Sequence, residues 1–115
     1  MYYIYIISCE RGTLYTGIAS DISRRMKEHF TQSEKCAKFT RSHKPSGLEG
    51  LWTAPDKSTA LRLEWRIKQM KKTQKLQLIA FPDMAEKLFE EPTGIKPVRE
   101  FSLVELLGNH DKQSK

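Results

Sequence analysis

The sequence predicts an α+β fold in which helices flank a central three-stranded antiparallel sheet, in the order ββαβαα, with a short C-terminal extension. Two observations favour this fold. Residues 2–18 have the composition of two strands joined by a short turn, and later apolar residues recur every three or four positions, as on one face of a helix. At 115 residues the chain is long enough for one modest core and too short for two.

The three strands are predicted from β-branched and aromatic runs bounded by turn residues. Residues 2–8 and 13–18 are such runs, and the short connection between them predicts an antiparallel hairpin. Residues 48–53 give a third strand, which Pro55 ends. No basic segment precedes the apolar N-terminal run and no small-residue cleavage site follows it, so a strand is favoured over a signal peptide.

Helix-capping residues and apolar periodicity predict three helices. Ser20 or Asp21 caps the first, in which Ile22, Met26 and Phe30 form the buried stripe. The second helix begins after Asp56 or Ser58 and runs to about residue 70, and Thr73 caps the third. The core face of the second helix consists of Ala60, Leu63, Ile67 and Met70.

Two stretches lack a regular pattern. Residues 31–47 are polar and basic and contain Pro45 and Gly47, so we expect mostly loop. The pattern weakens again after residue 82, which divides the chain into a domain at 1–82 and a partly irregular extension at 83–115. The extension is expected to consist of a short helix at 84–90, an irregular connection at 92–97, a helix or strand at 101–107 and a frayed end at 110–115.

The charge is uneven along the chain. The net charge is +6, and residues 1–82 carry 15 Lys or Arg against 7 Asp or Glu, a balance of +8, whereas residues 83–115 carry 5 against 7, a balance of −2. A basic body is typical of proteins that bind a polyanion, most often nucleic acid. The alternative is a solvated basic surface without such a partner.

Cysteine content and hydropathy bear on the compartment. Cys9 and Cys36 are too few for a disulfide framework and lack metal-ligand spacing, so we expect ordinary thiols in a reducing, cytoplasmic protein. No apolar stretch approaches the ~20 residues that span a bilayer, so no membrane partner is expected.

Two tyrosines and one helix flank are candidates for chemistry. Tyr5 and Tyr15 lie on adjacent strands of the predicted hairpin, where their side chains come close. A phenol is a poor base unless a metal or cation lowers its pKa, and simple packing is the alternative. Along the first helix, four-residue spacing places Asp21, Arg25 and His29 on one stripe beside the buried face. This stripe is either a site where the arginine binds phosphate or a solvated flank of the helix.

Glu64 is the third candidate. Of its helical neighbours at three and four residues, Ala60, Leu61 and Ile67 are apolar, and only Lys68 is charged. A lone carboxylate in such a patch needs a cation, either a divalent metal shared with phosphate oxygens and water or the Lys68 ammonium.

Basic residues surround these candidates. The predicted loop combines an aromatic ring with cations that can follow a phosphate backbone, and later helices extend the charge. The residues are Lys35, Lys38, Phe39, Arg41 and Lys44 in the loop, and Arg62, Arg66, Lys71, Lys72 and Lys75 in the helices.

These residues resemble the GIY-YIG nuclease superfamily in order and spacing, over roughly residues 2–80. The chain is most similar to small stand-alone bacterial members, which resemble the nuclease domain of the excision-repair incision protein. The matching strings are Tyr3-Ile4-Tyr5, Leu14-Tyr15-Thr16-Gly17-Ile18, Arg24-Arg25-Met26-Lys27-Glu28-His29, Lys38-Phe39-Thr40-Arg41 and Ala60-Leu61-Arg62-Leu63-Glu64.

The resemblance implies hydrolysis by water with a single Mg²⁺ or Mn²⁺, at a site on one face of the sheet. It implies that Glu64 binds the metal, Arg25 stabilises charge on the scissile phosphate, and Tyr5 or Tyr15 activates or orients the water. His29 would hydrogen-bond a phosphate or a tyrosine. The residues implied or expected to contact nucleic acid are Gly17, Lys35, Lys38, Phe39, Arg41 and Lys68.

The chain also departs from the family pattern. Tyr3 stands where the first motif has its glycine, and Thr16 where the second has its isoleucine. Ile18 occupies a position where many catalytic relatives have lysine, and residues 69–80 lack the asparagine that many members carry. These differences bear on turnover and mechanism more than on the fold.

The sequence thus predicts a metal-dependent endonuclease that hydrolyses phosphodiester bonds in DNA in preference to RNA, with structure-biased selectivity, in DNA repair or nucleic-acid turnover. The expected state is a monomer or weak homodimer. One alternative is a non-catalytic nucleic-acid-binding module that keeps the fold. Another is a protein-interaction adaptor that acts through the acidic extension. It predicts that deletion of residues 83–115 abolishes binding to a protein partner, while the affinity of the remaining domain for nucleic acid survives.

Overall fold

The computed structural model describes the backbone of residues 1–113 and the side chains of residues 1–108, and it confirms the α+β prediction. Three long strands, β1 (Tyr2–Cys9), β2 (Thr13–Ala19) and β3 (Pro45–Ala54), pair antiparallel with β1 in the centre. A fourth, two-residue strand, β4 (Lys96–Pro97), extends the sheet beyond β3, giving the order β2-β1-β3-β4. The prediction of a three-stranded sheet is therefore correct for the long strands, but it misses the short fourth strand β4.

Five helices accompany the sheet in the described part of the chain, with 3₁₀ turns at Glu10–Gly12 and Pro82–Leu88. They are α1 (Ile22–Phe30), α2 (Lys38–Ser42), α3 (Lys57–Lys68), α4 (Lys72–Ala80) and α5 (Leu103–Gln113). None of the described helices is long and apolar enough to cross a membrane.

The N-caps of α1 and α3 are the predicted aspartates. Asp21 accepts a hydrogen bond from the Arg24 backbone N–H at 3.1 Å, and Asp56 accepts one from Thr59 at 2.8 Å. The predicted Thr73 cap of α4 is wrong, because α4 begins at Lys72 and its N-cap is Lys71, two residues before Thr73. There the side chain of Gln74 accepts a hydrogen bond from the Lys71 N–H at 2.8 Å.

Three irregular stretches hold more structure than the sequence predicts. The expected loop at 31–47 contains α2 and the start of β3. The expected irregular connection at 92–97 ends in β4, which pairs with Trp52 and Thr53. The segment at 101–107, predicted as helix or strand, enters the helix α5. Because α5 continues to Gln113, the fraying expected at 110–115 is wrong for residues 110–113. Residues 114–115 lie outside the described residues.

The side chains of β1 alternate between two apolar clusters, one on each face of the sheet. Ile4 and Ile6 lie fully buried in a cluster with the inner side chains of α3 and with Trp52. Tyr5 and Ile7 point to the opposite face, where α1 and α5 cover them.

The C-terminal extension contributes to both clusters. Ala85 and Ile95 are buried with the α3 side chains, whereas Phe101, Leu103 and Leu106 pack in the cluster on the α1 face. Deletion of residues 83–115 would therefore uncover the core and disturb the fold. Loss of partner binding in that deletion would not show that the extension itself binds the partner. The division of the chain at residue 82 stays a prediction.

Candidate active site

Four of the five predicted catalytic side chains lie together on the α1 face of the sheet. Tyr5 projects from β1 and Tyr15 from β2, and Arg25 and His29 come from α1. The Tyr5 hydroxyl lies 2.7 Å from His29 Nε2, and Arg25 Nε donates to the same hydroxyl at 3.4 Å. Tyr5, Arg25 and His29 thus form one hydrogen-bonded unit, here called the Tyr5 cluster.

The solvated flank, one of two alternatives for the stripe of Asp21, Arg25 and His29, does not hold for His29. Its side chain is fully buried, whereas Asp21 is exposed at the N-cap of α1. The reason is helical geometry, because His29 follows Ile22 by seven residues and Met26 by three and so shares their buried face. Phe30, predicted for that face, is only partly buried.

The hydrogen bonds of His29 favour one tautomer. Its Nδ1 lies 2.7 Å from Thr40 Oγ1, and the single Thr40 hydroxyl proton goes to the carbonyl oxygen of Ala37 at 3.1 Å. This arrangement favours the tautomer in which His29 Nδ1–H donates to Thr40 and Nε2 is an acceptor. In that tautomer the Tyr5 hydroxyl donates its proton to His29 Nε2.

Burial keeps both Tyr5 and His29 in their neutral forms. It raises the pKa of Tyr5 well above its usual value, against a hydrogen bond from Arg25 that lowers it. Burial also lowers the pKa of His29 from 6.5 to about 4, and the nearby Arg25 charge acts in the same direction. At neutral pH the pair is a phenol hydrogen-bonded to a neutral imidazole.

Arg25 is held from two further sides. Its Nη1 donates to Glu28 Oε1 at 2.9 Å and to the backbone carbonyl of Lys35 at 2.7 Å. A quarter of the Arg25 side chain remains exposed. The guanidinium is thus fixed in position and still accessible to an anion such as phosphate.

Gly17 makes room for the ring of Tyr5. The two residues are directly opposed in the β1–β2 pairing. A Cβ at position 17 would lie 2.4 Å from the Tyr5 hydroxyl oxygen and 2.6 Å from Cζ. The absence of a side chain at this position is therefore a packing requirement of Tyr5.

Tyr15 belongs to a row of aromatic rings at the edge of the Tyr5 cluster. Its ring lies 5.4 Å from His29 and 6.4 Å from Tyr5. Phe39 stacks on Tyr15 at 5.7 Å and on His43 at 4.2 Å. Phe39, which the sequence offered as a base-stacking residue, thus already stacks on two protein rings. Tyr15 itself is partly exposed, and no hydrogen bond of its hydroxyl occurs among the described residues.

Glu64 reaches the site from a different element. It lies on α3, whose inner face packs on the other side of the sheet and against the edge strand β2. Its charge nonetheless contributes to raising the pKa of Tyr5. The side chain is 18% exposed, and its Oε2 lies 3.3 Å from Lys68 Nζ, the i,i+4 pair that the sequence allowed. Leu61, one of its predicted apolar neighbours, is 44% exposed.

The donor set near Glu64 limits what a metal would bind. The described residues contain no group of three or more His, Cys, Asp or Glu side chains that could hold an ion. A single carboxylate fits a hard cation such as Mg²⁺, which keeps several waters and takes its other ligands from substrate phosphate. It does not fit a zinc site, which needs three or four protein ligands.

The predicted nucleic-acid contacts lie around this site. Lys35, Lys38 and Arg41 have exposed side chains on and before α2, next to the aromatic row, and Lys68 is 48% exposed beside Glu64. The side chain of Arg41 donates to the backbone carbonyl of Glu34. These cations form a basic rim rather than part of the buried cluster.

Two residues that complete the site were not among the candidates drawn from the sequence. Thr40 favours one His29 tautomer, and Glu28 fixes the position of Arg25. The spacing of Glu28, three residues after Arg25 on one helix, could have indicated the pair. Thr40 had no such signal, because its role depends on α2, which the sequence did not predict.

Comparison with known proteins identifies the family. The sequence model described as the GIY-YIG catalytic domain matches residues 1–77. The chain is 40% identical over 95 residues to UPF0213 protein FN1575 from Fusobacterium nucleatum, covering 83% of this chain and 93% of that protein. It is 39% identical over 79 residues to UPF0213 protein BH0048 from Halalkalibacterium halodurans, covering 69% and 82%.

A solved structure is also similar. The solution NMR structure of the UPF0213 protein BH0048 from Bacillus halodurans is 38% identical, covers 70% of this chain and 85% of its own, and gives a TM-score of 0.47. The family match and the identities of the relatives confirm the predicted resemblance. The chain belongs to the GIY-YIG family of nuclease domains, in the small stand-alone group that contains the UPF0213 proteins.

Proposed function

We propose that this protein is a metal-dependent endonuclease that hydrolyses phosphodiester bonds in DNA. The observation that supports this most is the Tyr5 cluster, in which Arg25 is fixed yet accessible beside Tyr5 and a neutral histidine, with Tyr15 at the edge. A packing role alone does not explain an arginine held by three partners at the edge of a buried polar cluster. Membership of a family of nuclease domains supports phosphodiester hydrolysis as the chemistry that such a cluster would serve.

Arg25 and Tyr15 are the residues placed to touch substrate. Arg25 would donate to a nonbridging oxygen of the scissile phosphate and stabilise the charge that develops as water attacks phosphorus and the bond to a sugar oxygen breaks. Tyr15, whose ring is partly exposed, would orient the attacking water through its hydroxyl. Tyr5 is only 1% exposed, so it would position His29 and Arg25 rather than contact substrate.

Glu64 would hold the divalent ion, Mg²⁺ or Mn²⁺. When bound, such an ion polarises the phosphate and lowers the pKa of a coordinated water. For this role Glu64 must exchange its Lys68 partner for the ion. Lys68 is half-exposed and flexible enough to turn toward a substrate phosphate, which supports its place among the predicted nucleic-acid contacts.

The experiment is a cleavage assay on nicked, flapped, branched, duplex and single-stranded DNA, with matching RNAs, in Mg²⁺, Mn²⁺ or EDTA. Arg25→Ala should lose at least about 100-fold in cleavage rate, as expected for loss of a transition-state donor. Arg24→Ala removes the exposed neighbouring arginine of the same helix and should retain activity. Equal loss in both variants would mean that general charge, and not the Tyr5 cluster, accounts for cleavage.

A non-catalytic nucleic-acid-binding module is the second candidate. The ion pair between Glu64 and Lys68 favours it, because that pair already neutralises the carboxylate. Ile18 in place of the usual lysine points the same way. This candidate predicts that the wild type binds the same substrates, with affinity independent of Mg²⁺, and cuts none of them.

Structure-biased selectivity and a role in DNA repair or nucleic-acid turnover remain part of the proposal. The side chains around the Tyr5 cluster offer a phosphate-binding arginine and exposed lysines, which position a backbone without reading base edges. Cleavage rates that differ more between nicked and intact duplex than between sequences of one structure would support this.

A further inference from the structure

A groove on the outer side of α3 exposes large apolar side chains. Trp65 is 62% exposed and Leu61 44% exposed, and Phe89 closes the groove from the segment after the second 3₁₀ turn. The groove has a volume of about 840 Å³. Contiguous exposed apolar side chains that include a tryptophan are typical of binding surfaces.

Cations line the same groove. Lys57, Arg62 and Arg66 all face it. The guanidinium of Arg62 lies 4.8 Å from the centroid of the Phe89 ring and that of Arg66 lies 5.6 Å away, so both are held over an aromatic face. Arg66 also donates to the carbonyl of Leu88 at 3.0 Å, which fixes its position.

The groove lies on the helix that carries the proposed metal ligand. Trp65 follows Glu64 directly in α3, and Lys57 begins the same helix. Glu64 lies seven positions after Lys57, a rise of about 10 Å along the helix axis at 1.5 Å per residue. That length corresponds to about three stacked bases at 3.4 Å each.

We propose that the α3 groove, lined by Lys57, Leu61, Arg62, Trp65, Arg66 and Phe89, binds a single-stranded segment of nucleic acid adjacent to the cleavage site. The inference rests on the proposed function only in taking Glu64 as part of that site. Bases stack on Trp65, and the cations neutralise the phosphates of the same strand. The preferred substrate then carries an unpaired strand, such as a flap, next to the scissile bond.

The charge of the groove argues against other occupants. A second copy of the chain carries the same net charge of +6 and would bring three cations of one groove against those of another. An apolar peptide would cover the indole but would bring no anion to the cations, of which only Arg62 has a carboxylate partner, Glu91, among the described residues. A single strand of nucleic acid suits both the indole and the cations, because each nucleotide offers an aromatic base and one negative charge.

Equilibrium binding of the full chain to labelled oligo-dT and oligo-U tests the proposal. Trp65→Ala should weaken binding by about 5- to 150-fold, the range for loss of one base–aromatic stack, and Trp65→Phe should keep most of the affinity. Phe81→Ala removes an aromatic side chain of similar exposure, 64%, outside the groove and should bind as the wild type does. Glu91→Gln, which releases Arg62 from its ion pair, should tighten binding.

A second readout uses the two tryptophans of the chain. Trp52 is fully buried, so quenching of fluorescence by the oligonucleotide should come from Trp65 and disappear in Trp65→Phe. The comparison of oligo-dT with oligo-U shows whether the groove favours DNA or RNA.

The proposal is overturned if Trp65→Ala binds the oligonucleotides as tightly as the wild type. It is also overturned if sedimentation shows a wild-type dimer that Trp65→Ala dissociates while oligonucleotide affinity stays unchanged, because the groove then holds a second copy. Failure of the proposed nuclease function would give a different result from these two outcomes. The wild type would then cut no substrate, whereas the loss of oligonucleotide binding in Trp65→Ala would remain measurable.

Discussion

Substitution of Gly17 by alanine should destabilise the protein through Tyr5. The added Cβ would lie 2.4 Å from the Tyr5 hydroxyl oxygen and 2.6 Å from Cζ, both closer than real Cβ contacts, and 3.1 Å from Cε1. The ring cannot turn aside freely, because Tyr5 is 1% exposed and hydrogen-bonded to His29 at 2.7 Å. The ring or strand β2 must therefore move.

The expected cost combines two effects. Forcing a methyl group into a packed core costs about 1–3 kcal/mol. Separating the buried Tyr5 hydroxyl from His29 costs about 1–3 kcal/mol more, since both groups lose a partner. The lower flexibility of alanine in the unfolded chain offsets about 0.4–1 kcal/mol of this. The free energy of unfolding should thus fall by roughly 2–4 kcal/mol.

Urea unfolding of the wild type and Gly17→Ala measures this cost, with Gly108→Ala as the matched control. A Cβ added at position 108, in α5, would meet no atom within 4 Å, and the alanine should raise stability by about 0.5–1 kcal/mol through better helix propensity. In a Tyr5→Leu background, Gly17→Ala should cost far less, because the ring atoms it meets are gone. A Gly17→Ala variant within about 0.5 kcal/mol of the wild type would refute the packing argument.

Three further predictions concern the same site. The free energy of unfolding should fall by up to roughly 3 kcal/mol as pH drops from 6.5 to 4. The reason is that the unfolded chain takes up a proton at His29, whereas the folded chain, in which the His29 pKa is about 4, does not. Urea unfolding across this range measures the effect, and the same pH slope in His29→Gln would contradict it. Thr40→Val should cost about 1–3 kcal/mol by leaving His29 Nδ1–H without an acceptor, whereas Thr31→Val, at an exposed site, should stay within about 0.5 kcal/mol in the same assay. DNA affinity should fall with rising salt, and Lys38→Ala should reduce the slope of log K against log salt by about 1; an affinity independent of salt would contradict the basic rim.

The sequence predicted most of the fold because its local signals agree with the tertiary structure. The hairpin of β1 and β2 and the third strand follow from β-branched and aromatic runs, and α1 and α3 follow from aspartate caps and apolar spacing. The two-residue β4 contains Pro97 and has no periodicity of its own, so only its pairing with Trp52 and Thr53 reveals it. The five-residue α2 is likewise too short for a periodic signal.

The sequence left two alternatives open for His29, a place in the site or on a solvated flank. Its spacing from Ile22 and Met26 is that of a buried position, and the structure shows it buried and hydrogen-bonded to Tyr5. Burial depends on α2, which supplies Thr40 as its partner and which the sequence did not predict. The grouping of Tyr5, Tyr15, Arg25 and His29 was foreseeable from strand pairing and helix spacing together with the family resemblance, which also implied a hydrogen bond from His29 to a phosphate or a tyrosine. The hydrogen bonds to Thr40 and Glu28 were not foreseeable in this way.

If Glu64 holds the metal for cleavage at the Tyr5 cluster, its loss should stop the reaction. The rate of cutting of a nicked or flapped DNA in Mg²⁺ can be compared for the wild type, Glu64→Gln and Glu105→Gln, the last of which alters an exposed glutamate on α5. EDTA and Glu64→Gln should each abolish cleavage, while Glu105→Gln should cut at the wild-type rate. Cleavage by Glu64→Gln at the wild-type rate, or wild-type cleavage that persists in EDTA, would refute a metal-binding role for Glu64.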